Sequence, residues 1–105
     1  NQTRRIAIWA VETTAGSASI SRYAPLVSLA VSSVQVSGTF GGATVVLQGS
    51  NDGVTYATLK DLQGNNLSFT AAGYAEFSSG AAFIKPSISG GTGDSLNITV
   101  SHWAG

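Results

Sequence analysis

The stretch ATVVLQGSNDGVTYATL, residues Ala43 to Leu59, decides how this chain is read. Val45 and Leu47 alternate with Thr44, Val46 and Gln48, the period of a half-buried strand. Ser50-Asn51-Asp52-Gly53 then supplies turn chemistry. Asn and Asp bond back to nearby backbone, and Gly takes positive φ without a Cβ clash. Val54, Tyr56 and Thr58 alternate with Thr55, Ala57 and Leu59, which predicts a second strand. The spacing therefore predicts an antiparallel hairpin, and the same grammar of short alternating runs and turn residues extends in both directions from it.

Towards the N-terminus, Val34, Val36, Gly38 and Phe40 share one face of VQVSGTF, and Gly41-Gly42 leads from it into the hairpin. Leu26 to Val31 reads as a strand entered through a break at Tyr23-Ala24-Pro25. Glu12 to Arg22 is small and polar around Gly16, which predicts a loop, and a loop this long in a small domain points to a contact role. Arg5 to Val11 is apolar on both faces, as in a strand covered on both sides or one lying across a partner. Asn1 to Arg5 is polar and basic and reads as a loose arm.

Towards the C-terminus, Lys60 to Asn65 predicts a turn, and Leu67 with Phe69 points inward from Asn66 to Thr70. Tyr74 to Phe77 and Ala82 to Ile88 read as strands, the second broken by Pro86, which suits an edge or a bulge. Ser89 to Asp94 is a glycine-rich turn. Leu96, Ile98 and Val100 point inward from the last strand, Ser95 to Ser101, and His102 to Gly105 reads as a tail. Turns recur every ~8–12 residues, the spacing of sandwiches and barrels. The expectation is one all-β domain over residues 1–105. It is an antiparallel β-sandwich, jelly-roll or Greek-key like, of about eight or nine strands, with a flexible arm over 1–5 and a contact loop over 12–24.

Charge narrows the function classes. Charged residues make up 10% of the chain and cancel to zero, against about 25% in an average soluble domain. A neutral, charge-poor surface gives up the repulsion that keeps monomers apart, so coverage by neighbouring subunits is expected. Nucleic acid is not an expected partner, because phosphate binding draws on clustered Lys and Arg, and Arg4-Arg5 is the one basic pair. No apolar run reaches the ~18 residues of a membrane span. The chain has no Cys, which excludes disulfides and thiolate metal sites.

Catalytic equipment is sparse. His102 is the single histidine, and no Ser stands in a nucleophile elbow beside it. Asp52, Asp61 and Asp94 fall in turns, where Asp serves the backbone. A calcium site would need the Asn51-Asp52-Gly53 and Thr92-Gly93-Asp94 loops at one end of the sandwich. No enzyme activity, metal or cofactor is expected. Trp9, Tyr23, Tyr56, Tyr74 and Trp103 would suit core packing or subunit contact, or a sugar platform if several shared an exposed face.

The run VVLQGSNDGVTYATLKDLQGNNLSFTAAG, followed by FIKPSISGGTGDSLNITV, resembles small β-sandwich structural proteins of tailed bacteriophages. The resemblance is carried by the SNDG turn with Thr55-Tyr56, by DLQGNNLSFTAAG and by IKPSISGGTG, within Val45 to Val100. It implies a virion component, a capsid decoration (cement) subunit stabilising a phage shell, located on the capsid surface. The implied partners are the major capsid protein and copies of the chain itself, in symmetric clusters such as trimers. Arg4, Arg5, Trp9, Arg22, Tyr23 and Trp103 are the candidate subunit and capsid contacts. The competing readings are a carbohydrate-binding β-sandwich module, with a glycan as partner, and a tail-associated structural protein.

Overall fold

In the computed structural model the described residues are 3–12, 21–22 and 31–104. They form nine strands and no helix: β1 (Thr3–Glu12), β2 (Ser21–Arg22), β3 (Ser32–Thr39), β4 (Thr44–Ser50), β5 (Ala57–Thr58), β6 (Ser68–Phe69), β7 (Gly73–Phe77), β8 (Phe83–Ser89) and β9 (Ser95–Ala104). One sheet has the order β1-β9-β3-β7. The other has the order β2-β8-β4-β5, with β6 also on β4. Every pairing is antiparallel.

The pairings describe a ribbon folded at its midpoint. Thr3 pairs with Ala104, Ser21 with Ile84, Ser32 with Phe77 and Gln48 with Thr58. The fold-back point is the Ser50-Asn51-Asp52-Gly53 turn. Rolling this ribbon brings β9 against β3 and β8 against β4, which makes two stacked sheets. With β5 and β6 counted as one interrupted strand, this is eight-stranded jelly-roll connectivity.

β5 and β6 lie end to end on the same edge of β4. Leu59 N donates to Leu47 O (3.0 Å), and Leu47 N donates to Leu67 O (3.0 Å). Between them the chain makes an excursion over residues 60–66, closed by a Lys60–Asn66 bridge. Asp61 organises it: its carboxylate accepts from Gln63 N and Asn65 N, each at 2.9 Å. Gly64 sits there at φ 88°, as the turn reading required. The loop reaches the other sheet, where Leu62 N donates to Glu76 O on β7 (3.2 Å).

The core lies between the sheets. Trp9, Val34, Val36, Phe77, Leu96, Ile98 and Val100 come from the first sheet, and Val45, Leu47, Ile84 and Leu67 from the second. A fully buried aliphatic or Phe side chain is worth about 1.5–3 kcal/mol, so this layer holds the sheets face to face. Phe40, Leu59, Phe69 and Ile88 pack on its margin.

Several expectations are corrected. Thr3, Arg4 and Arg5 pair with β9 rather than forming part of a loose arm, and residues 1 and 2 lie outside the described residues. The His102 to Ala104 segment is not a tail but the end of β9, because β1 supplies a partner strand that far. The second arm of the central hairpin shrinks to Ala57–Thr58, and Val54 is exposed in the loop. Gly38 is exposed, although alternation put it with Val34 and Val36. Gly41-Gly42 forms a corner between sheets, with Ala43 N bonded to Phe40 O (2.8 Å) and φ positive at both glycines.

Pro86 lies inside a paired strand opposite Leu47. Both backbone groups of Leu47 are spent on Leu67 and Leu59, on the far side of β4. The Leu47–Pro86 pair is therefore a non-hydrogen-bonded one, and β4 asks no N–H of Pro86. Of the contact loop over 12–24, Ser21 and Arg22 pair with β8, whereas 13–20 and Tyr23 lie outside the described residues. So does the predicted strand from Leu26, except for Val31, which is exposed and outside any strand.

Candidate interaction surface

The outer face of the first sheet is built by register. Ile6, Ser101, Ser33 and Glu76 form one row across β1, β9, β3 and β7. Ile8, Thr99, Gln35 and Tyr74 form the next. These eight side chains alternate with inward core residues, so the pleat turns all of them to the outside. Glu76 is the single charge among them. Ile6 is 55% exposed and Ile8 is 67% exposed on the β1 edge, and Tyr74 is 61% exposed on the β7 edge. Tyr74 donates its hydroxyl to the Glu76 carboxylate at 3.3 Å. Leu62, also exposed, comes from the 60–66 excursion to flank Tyr74.

The candidate contact residues are distributed unevenly. In the backbone ladder Arg4 stands opposite Trp103, and Arg5 opposite His102. Arg22 is in the second sheet, opposite Phe83. Trp9 is a correction: it is 3% exposed and belongs to the core. The bulge in β1 beyond Trp9 lies next to it in sequence. Tyr23 lies outside the described residues. Ile6 and Ile8, unlike Tyr74, are contact candidates that residue type alone did not single out. The signal for the first two was present, since RIAIWAV is apolar on both faces and one face had to meet something other than this core.

The loop at the fold-back point is rigidly wired. The Ser50 hydroxyl donates to Asp52 Oδ1 (2.9 Å) and accepts from Gly53 N (2.9 Å). Asp52 Oδ1 also accepts from Val54 N (2.8 Å) and Thr55 N (2.9 Å). The Thr55 amide first, then those of Val54 and the Ser50 hydroxyl, hold the Asp52 carboxyl below its ordinary value. A carboxylate with a depressed pKa stabilises the fold above its unfolded value, and that contribution is lost as pH falls through the folded one. Asp52→Ala should therefore lower the melting temperature at neutral pH and shrink the acid-induced drop. Thermal unfolding of both proteins from neutral pH to below the carboxylate range checks this, and equal drops in the two would refute it.

An open cleft of about 420 Å³ lies beside this loop, with Gly49, Ala57, Leu59 and Ala81 in its lining and Asn51 and Asp52 at its polar side. The Lys85 ammonium sits 4.4 Å from the centroid of the Tyr56 ring next to it. The two loops considered for calcium stand at opposite ends of β4, because Thr92 N bonds Gly41 O before that strand and Asp52 follows it. They cannot share an ion. Among the described residues no three His, Cys, Asp or Glu side chains cluster as metal ligands.

Neither a family model nor a curated protein matches the chain. Among solved structures, the SPBc2 prophage-derived protein YomS is similar with a TM-score of 0.58 at 13% identity, over 94% of each chain. A Bacillus endospore appendage protein, from a family of disulfide-linked pili, is similar with a TM-score of 0.44 at 16% identity, over 100% of this chain and 88% of that one. The first similarity is one of fold: the two-sheet β architecture described above is shared with a prophage-derived protein.

Proposed function

We propose that this chain is a structural protein of a bacteriophage virion that works through contacts with neighbouring subunits. Within that role we assign it as a capsid decoration subunit, bound to the major capsid protein and to copies of itself on the capsid surface. The observation that carries the reading is the outer face of the first sheet. Eight positions in two rows carry one charge, with exposed Ile6, Ile8 and Tyr74 at the edges. Depletion of charge with an exposed aromatic is the composition of contact surfaces. The fold it shares with a prophage-derived protein supports the phage setting.

The aromatic residues favour this over sugar binding. Trp9 is in the core, and the Tyr56 ring is covered by Lys85. Among the residues whose side chains are described, Tyr74 is the one strongly exposed aromatic ring, and a stacking platform needs several.

The test is copy number. Particles from the phage that carries the gene are purified, and the chain is quantified against the major capsid protein. Copies on the scale of the capsid protein are expected. A handful per particle would move the protein to the tail, and absence from particles would refute the virion role.

A further inference from the structure

We propose that β1 pairs antiparallel with β1 of a second copy across a two-fold axis, joining two four-stranded sheets into one. The inference goes beyond the virion reading and holds for the purified chain whether or not that reading does.

β1 is the edge of its sheet, ten residues long. The run from Ile6 to Val11 contains no Pro and no charged residue, two features that usually blunt an edge. Of its described side chains, Ile6 and Ile8 are exposed on the outer face. An edge strand of this kind, beside apolar surface, is a template for another strand.

The identity of that strand follows from the state of the other edges. β7 is engaged from outside by Leu62, which bonds Glu76 O. The edge of β4 is covered by β5 and β6, each two residues long and split by the 60–66 excursion. β2 offers two described residues. Among the described residues, β1 is thus the longest edge, with a regular register from Thr3 to Trp9 before its bulge. A head-to-tail contact between copies needs two different open edges, whereas a two-fold contact needs one edge used twice. Net charge of zero removes the repulsion between identical copies.

The register is favourable. A two-fold near Ala7 sets Ile6 opposite Ile8 of the partner subunit, and Ile8 opposite Ile6 of the partner subunit. Opposite residues of an antiparallel pair share a face. Four isoleucines then line one stripe on the outer face.

The test is the mass of the purified chain by sedimentation, with an Ile6→Lys, Ile8→Lys double variant. Both side chains are largely exposed in the single chain, so the variant should keep its fold, verified by circular dichroism. The wild type is expected at twice the 10.6 kDa chain mass, and the variant at half the wild-type value. A wild type that stays monomeric at high concentration overturns the proposal, as does a trimer, or a folded variant that remains dimeric. Hydrogen exchange gives an independent reading. Alternate β1 amides should exchange more slowly in concentrated than in dilute wild type, and concentration-independent exchange across β1 overturns the pairing even if a dimer forms.

Discussion

Phe77→Ala is expected to destabilise the domain by about 3–5 kcal/mol, the range for removing a large aromatic from a packed core. Phe77 is fully buried at the end of β7, opposite Ser32 on β3. It is the largest of the fully buried side chains, and the layer around it is built largely of Val, Leu and Ile. Those neighbours are pinned to two sheets by backbone ladders, so they cannot collapse into the space left behind. A domain of this size has about 5–15 kcal/mol of stability in all, so the variant should be close to unfolded at room temperature. Urea unfolding checks this: the midpoint should fall sharply at unchanged slope. A loss below about 1 kcal/mol would mean that the sheets do not close over Phe77.

Gly38→Ala is expected to have an effect of similar order from a residue that contributes nothing to the core. Gly38 has φ 113°, which side-chain-bearing residues rarely adopt. Holding Ala there costs about 1–3 kcal/mol. A Cβ at this position would also collide with the Ser95 carbonyl oxygen on β9. That oxygen belongs to the backbone, so no rotamer change relieves the collision. Gly38 pairs with Leu96, and β3 with β9 is the central seam of the first sheet. The strain is therefore shed by parting the two strands. Thermal unfolding of Gly38→Ala should show a clear drop, whereas Ser37→Ala beside it, on an exposed side chain, should stay near wild type. Equal melting of the two would refute the account.

These two positions also show how sequence and structure divide the information. Phe77 was legible, since YAEF reads as a short strand. Gly38 was legible as a glycine but not as a constraint, because its φ and its contact with Ser95 depend on where β9 runs. The interaction surface divides in the same way. RIAIWAV reads as a strand with two apolar faces. That the Trp9 face meets the core and the Ile6 and Ile8 face meets solvent at an edge is decided by a partner strand some ninety residues away, as the Ile8–Thr99 pair shows.

What the sequence by itself determined was local. Alternation placed Val34, Val36, Val45, Leu47, Leu96, Ile98 and Val100 on inward faces, because strand side chains alternate with period two whatever the partner. Asn, Asp and Gly marked the turns, because their backbone chemistry is their own. What only the tertiary structure decided was non-local: which sheet each strand joins, the split of one strand into β5 and β6, the capture of Thr3–Arg5 and His102 in a ladder, and which edge remains open. Strand pairing joins residues far apart in the chain. No short window of sequence contains both partners, so only the folded ribbon settles it.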